Sequence, residues 1–218
     1  MAFAYSPKIV TDGLVFAVDA ANTKSYPGSG TTWKDLSGNG NDGTLTNGPT
    51  FNSGNGGSIV FDGTNEHIVL DSTITLNDFT ATAVYDVSSL NTGWAMFFGS
   101  NDSDNFISIG NSGTILRVQD VNSLNSDLSY SSTLNELTFL QVIQSGNTNT
   151  WYINGQNVGT STNGSYGGME ITHMVYYQNG SSLGIWSGNY YMASIYNRAL
   201  SVSEITQNYN ALKGRFNL

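Results

Sequence analysis

The sequence predicts an all-β chain: a two-sheet antiparallel β-sandwich of jelly-roll type with one short C-terminal helix. Three observations predict it. Hydrophobic residues alternate with period two along many short segments, the pattern of a strand with one buried face. Clusters of Gly, Asn, Asp and Ser, all turn-forming residues, bound those segments, and glycine alone accounts for 25 of the 218 residues. Only one stretch, near the end, carries the periodicity of an amphipathic helix.

Taken in order, residues 1–12 read as an N-terminal arm. In "GLVFAVDA", Leu14, Phe16 and Val18 alternate with smaller neighbours and predict the first strand. "GSIVFDG", "HIVL", "FTATAVYDV", "WAMFFGS", "NFISIG", "TILRVQD" and "LTFLQVIQS" predict further short strands. "TWYINGQNVGT" predicts a hairpin, because Asn154-Gly155 tolerates the positive φ angles of a two-residue turn. "IWSGNYYMASIY" predicts the closing strand. At 201–213 a helix is expected: Ser201 and Glu204 form a capping box, Val202, Ile205, Tyr209 and Leu212 share a face, and Gly214 ends it. No linker or internal repeat divides the chain, so residues 1–218 are expected to form one domain, a common length for a single sandwich.

Composition narrows the partners. A net charge of −9 disfavours nucleic acid and anionic membranes, which select basic surfaces. No apolar run approaches the roughly 20 residues of a membrane span. Cysteine is absent, so disulfides and thiolate metal sites are excluded. "MAFAYSPKIVTDG" lacks the basic start and apolar run of a secretory signal, so a role outside the cell would call for release by lysis or on a particle.

The segments also carry a resemblance. "DLSGNGNDGTLTNGPTF" with "GGSIVFDGTNEHIVL", then "DFTATAVYDV", "TWYINGQNVG" and "IYNRALSVSEI", resemble in order the laminin G-like branch of the concanavalin A-like lectin and glucanase fold. The likeness covers nearly the whole chain. Its two ends, "SPKIVTDGLVFAVDAANTKSYPGSGTTWKDLSG" and "QNYNALKGRFNL", are similar to standalone laminin G-like proteins of tailed bacteriophages, notably marine ones. The resemblance implies a non-enzymatic virion structural protein, made in the host cytoplasm and displayed on the head or tail as a decoration or fibre component. Other virion proteins, surface glycans and further copies of the chain are its expected partners. A free carbohydrate-binding module is the alternative, and a glycan hydrolase a more distant one.

Candidate sites follow. Asp35, Asn39, Asn41 and Asp42 in "WKDLSGNGNDG", with Asp19 at the end of the first strand, offer the hard oxygens that Ca²⁺ prefers. The resemblance implies calcium there, although its carboxylate in the closing strand is replaced here by Tyr191 and Met192. A tight turn stitched by Asp and Asn is the competing reading. The loop lacks the G-x-x-x-x-G-K-[ST] spacing of a phosphate cradle, and Trp33 before it is expected to cap the core or to offer a sugar-stacking face.

For glycan contact, Trp94, Trp186 and Tyr191 are the candidates, with Tyr176, Tyr177 and Tyr190 behind them, because sugars stack on aromatic faces. Trp151 alternates like a core residue. Hydrolysis is disfavoured: Glu66, Glu136, Glu170 and Glu204 form no Glu-x-Asp-x-Glu strand able to flank a glycosidic bond. "GSSLG" at 180–184 matches G-x-S-x-G but leads into a strand instead of a helix. His67 and His173 sit in apparent strands without a matching carboxylate motif.

Overall fold

The computed structural model describes residues 8–90, 93–100, 105–110, 113–131, 133–176, 178–179, 182–183 and 185–218. The chain runs through β1 (Leu14–Asp19), β2 (Thr32–Trp33), β3 (Gly43–Thr46), β4 (Thr50–Asn52), β5 (Ser58–Asp62), β6 (His67–Leu76) and β7 (Phe79–Leu90). It continues through β8 (Trp94–Gly99), β9 (Phe106–Gly110), β10 (Ile115–Gln119), β11 (Asn125–Ser129), β12 (Thr138–Ser145) and β13 (Thr148–Ile153). Then come β14 (Gln156–Thr162), β15 (Met169–Met174), β16 (Gln178–Asn179), β17 (Ser182–Leu183), β18 (Trp186–Tyr196) and the helix α1 (Val202–Phe216).

Two eight-stranded antiparallel sheets form the sandwich. The first runs β14-β13-β12-β7-β18-β5-β4, with β1 also paired to β18; the second runs β11-β10-β9-β8-β15-β6-β3-β2. The long β18 organises the first sheet. One flank pairs with β7 along its length, while the other pairs with β5 at Trp186's end and with β1 at Tyr196's end. The hairpin between β13 and β14 has the expected turn, with Asn154 at φ 48° and Gly155 at φ 76°.

Alternation decides what lies between the sheets. Phe16, Phe61, Phe79, Leu140 and Trp151 point inward from the first sheet and meet Leu45, Ile68, Ile171, Ile107 and Leu116 of the second. Trp33 joins this core, edge-on to Tyr190 at 6.1 Å, so it caps the interior and faces no solvent.

The outer face of the first sheet is also apolar, and α1 covers it. Ile205 packs with Val10, Ile143, Tyr152 and Tyr196, while Phe216 packs with Val84, Phe139, Tyr191 and Met192. Asn208 of the helix is buried and pins the arm: its Oδ1 accepts the Val10 amide at 2.7 Å and its Nδ2 donates to the Tyr196 hydroxyl at 3.0 Å. The capping box is present as expected, and Arg198 clasps Glu204 at 2.6 Å. The helix end differs from expectation. Gly214 stays helical, and the chain stops only after Phe216, where Asn217 takes the left-handed conformation at φ 56°. Phe216 has an apolar site to fill, and that packing carries the helix past glycine's weak propensity.

Candidate functional site

The loop proposed for calcium is a hydrogen-bonded turn. Asp35 is buried, and both its oxygens face protein donors: Oδ1 accepts from the amides of Ala17 and Ser37, and Oδ2 from the Ser37 hydroxyl and the Asn41 amide. Asp42 accepts the Asp35 amide at 2.8 Å, and the Asn39 and Asn41 side chains donate to the Leu14 and Val15 carbonyls. Asp19 is committed elsewhere, to Arg215 at 2.7 Å. Among the described residues no three His, Asp or Glu side chains are placed to hold a metal ion. This donor set does not fit calcium as expected: a ligand must turn a free lone pair on the cation, and these oxygens accept N–H and O–H groups that staple the loop to β1.

The three proposed sugar-contacting aromatics part company. Trp186 is 0% exposed; its Nε1 donates to the Met96 carbonyl at 2.9 Å, and its ring meets Phe61 at 5.8 Å and Tyr190 at 5.9 Å. It is core, contrary to expectation. Tyr191 is 3% exposed, beneath α1: its hydroxyl donates to Asp86 at 2.8 Å and its ring abuts Phe216 at 5.7 Å. Burial, then the Asp86 carboxylate, push its phenol up to about 12. Neither ring can meet a surface glycan. Strict alternation fails in β18 because its register shifts twice, between Ser187 and Gly188 and between Tyr190 and Met192. At the second shift Tyr191 is the extra residue, so the neighbours Tyr191 and Met192 both lie on the outer face while Tyr190 and Ala193 face the core.

Trp94 does reach the outer surface of the second sheet. Its indole lies on Gly110 of β9, the residue paired with it, where a methyl group would come within 2.0 Å of the ring. The Arg117 guanidinium sits 4.3 Å from the ring centroid and grips Asp127 through two bonds of 2.7 Å. The indole is therefore held between backbone and cation.

The second sheet's outer face carries a further group. Register places Thr32, Thr44, Val69 and His173 in one row across β2, β3, β6 and β15, with Thr46 and His67 paired alongside. His67 and Tyr176 rings lie 4.5 Å apart, and His173 lies 5.5 Å from Tyr176 and 6.0 Å from His67, all inclined by only 31–33°. All three are half-buried. His67 Nδ1 lies 2.9 Å from the Asn65 carbonyl, to which it donates. Sequence reasoning treated these histidines singly. Their meeting depends on the β6–β15 register, which no local pattern reveals. Tyr177 lies outside the described residues, as does most of the 180–184 motif.

At the β2 edge of this face opens a cavity of about 400 Å³, lined by Thr23, Lys24, Ser29, Thr31, Thr32 and Lys34 among others, with no carboxylate among the described residues of its wall.

No known protein family and no curated protein matches the chain. Solved structures do resemble it. Domain 4 of an extracellular GH43 arabinanase from Geobacillus stearothermophilus, in complex with arabinotriose, has a TM-score of 0.70 at 20% identity, covering 90% of this chain and 98% of that one. The botulinum neurotoxin serotype D ligand binding domain in complex with N-acetylneuraminic acid scores 0.67 at 12% identity, covering 92% and 51%. The Trypanosoma rangeli sialidase in complex with sialic acid scores 0.59 at 13% identity, covering 97% and 36%. The chain thus spans about half of the toxin domain and a third of the sialidase. At these identities the likeness establishes the sandwich fold.

Proposed function

We propose that this chain is a non-enzymatic glycan-binding β-sandwich carried on the surface of a bacteriophage particle. The glycan reading rests on one observation: the second sheet keeps an outer face of threonines and half-buried aromatic rings, with His67 and Tyr176 4.5 Å apart. Flat rings beside hydroxyls and ring nitrogens suit a sugar, whose C–H face stacks while its hydroxyls hydrogen-bond. Neighbours of the same fold that hold arabinotriose or N-acetylneuraminic acid support the reading. Glu66 and Glu204 support a non-catalytic role, because Glu66 accepts the Asp62 amide and Glu204 closes the helix cap. Virion display rests on the resemblance of the chain's ends to phage proteins. Many copies on one particle would convert weak single sites into useful avidity.

A printed glycan array tests binding. The wild-type chain should retain at least one glycan, and Tyr176→Ala should abolish that signal without lowering the melting temperature. Unchanged retention by Tyr176→Ala would overturn the placement of the site. Immunogold labelling of purified particles tests display: gold on head or tail is expected, and bare intact particles would leave a free lectin-like module as the reading.

A further inference from the structure

We infer that the glycan is acidic, and that its carboxylate or sulfate group sits in the cavity between Lys24 and Lys34 while the chain of sugars crosses to the His67–Tyr176 rings. This rests on the glycan reading and names the ligand class of the same face.

Charge accounting singles out the cavity. The protein holds seven Lys and Arg against 16 Asp and Glu. Its three arginines are all neutralised: Arg117 by Asp127, Arg198 by Glu204 and Asp12, Arg215 by Asp19. The four lysines, Lys8, Lys24, Lys34 and Lys213, have no ion-pair partner among the described residues, and Lys213 lies over the Tyr209 ring; of these, Lys24 and Lys34 share one cavity, both exposed in a wall of hydroxyls. In a chain of net charge −9, two ammonium groups lining one cavity, with the adjacent Asp35 carboxylate buried and bonded into its own turn, form a local positive site. Threonine and serine hydroxyls add the donors that fix an oxyanion's direction.

Geometry joins the cavity to the rings. Thr32, in the cavity wall, begins the row that continues through Thr44 and Val69 to His173. Three strand spacings separate β2 from β15, about 14 Å in all. An oligosaccharide of about three sugars covers that distance, with one end in the cavity and the other on the rings. The buried partner residues of this row face the core, so the platform beneath the ligand is rigid.

Calorimetric titration tests the inference with three trisaccharides of one linkage: galactose, galacturonic acid and sulfated galactose. The acidic ligands should bind at least about tenfold tighter than the neutral one, and the advantage should shrink as salt rises. K24Q/K34Q should erase the advantage and leave neutral affinity unchanged, while K24R/K34R restores it. Both lysines are exposed, and an unchanged melting temperature confirms that the variants fold. Preference for the uronate over the sulfate identifies the anion as a carboxylate, and the reverse as a sulfate. Equal affinity for all three, unaffected by K24Q/K34Q, would overturn the acidic inference and leave the glycan reading intact. Silence across a broad array of acidic and neutral glycans would overturn both.

Discussion

The outer faces of the two sheets begin from the same pleated backbone and end as opposites. On the first sheet, β7, β12 and β18 present Val84, Phe139, Ile143, Tyr191, Met192 and Tyr196 outward, and this face is closed by α1 and Val10. On the second, the corresponding positions hold Thr32, Thr44, His67, Arg117 and Asp127, and among the described residues no helix lies over them. A strand apolar on both sides must be covered on both sides, whereas an alternating strand can leave one side to water. The covered face therefore serves stability. The open face is the one on which the proposed glycan site lies, and rings and hydroxyls already in place lower the ordering cost of meeting a ligand.

The largest effect is expected from uncovering the first face. Ile205→Ala with Phe216→Ala removes the two buried apolar anchors of α1 and should cost about 5 kcal/mol together, measured by urea denaturation. The single-chain loss of helix docking should also expose Tyr191, quenching its protection from iodination. A change under about 1 kcal/mol would show that the helix is only loosely held.

Asp35→Ala comes next. It strips the acceptor from two backbone amides, a hydroxyl and a further amide in the turn below the open face, and should cost about 3 kcal/mol. A chelator added to the wild-type protein should leave its melting temperature unchanged. A drop of several degrees would instead show calcium binding only the folded chain.

Gly110→Ala sharpens the open face by itself. The new methyl would strike the Trp94 indole, which must swing out and release Arg117, at a cost of about 1–3 kcal/mol. Tryptophan emission should shift to longer wavelength, since Trp94 is the half-buried one beside the buried Trp33, Trp151 and Trp186.

The smallest effect is acid loosening of the helix. The Arg198 guanidinium, followed by the Ser201 amide, holds Glu204 down to about 2, from an ordinary 4.5. A depressed carboxylate stabilises the fold above its ordinary range, and that contribution disappears as pH falls from 4.5 toward 2. Glu204→Gln should flatten this part of the melting-temperature profile and leave neutral-pH stability slightly reduced, because the ion pair is still partly open to water.

Much of this was written locally. The strands of "GLVFAVDA", "FTATAVYDV" and "LTFLQVIQS", the Asn154-Gly155 turn and the Ser201–Glu204 box all follow from spacing and turn chemistry, because each depends only on residues within a few positions of one another. The two-sheet sandwich follows from their number. Tertiary structure decided the site. Trp186 was closed into the core by Phe61 and Tyr190, the register shift at Tyr191 put both it and Met192 under the helix, and a bulge is a property of two strands together. His67 and His173 stand 106 positions apart in sequence, yet pairing of β6 with β15 brings their rings within 6.0 Å. Asp35 had the right chemistry for a cation, and only the loop's closure onto β1 turned its oxygens to protein donors. Alternation marks which side of a strand is apolar; which strands become neighbours depends on long-range packing, and recognition surfaces are assembled by neighbours.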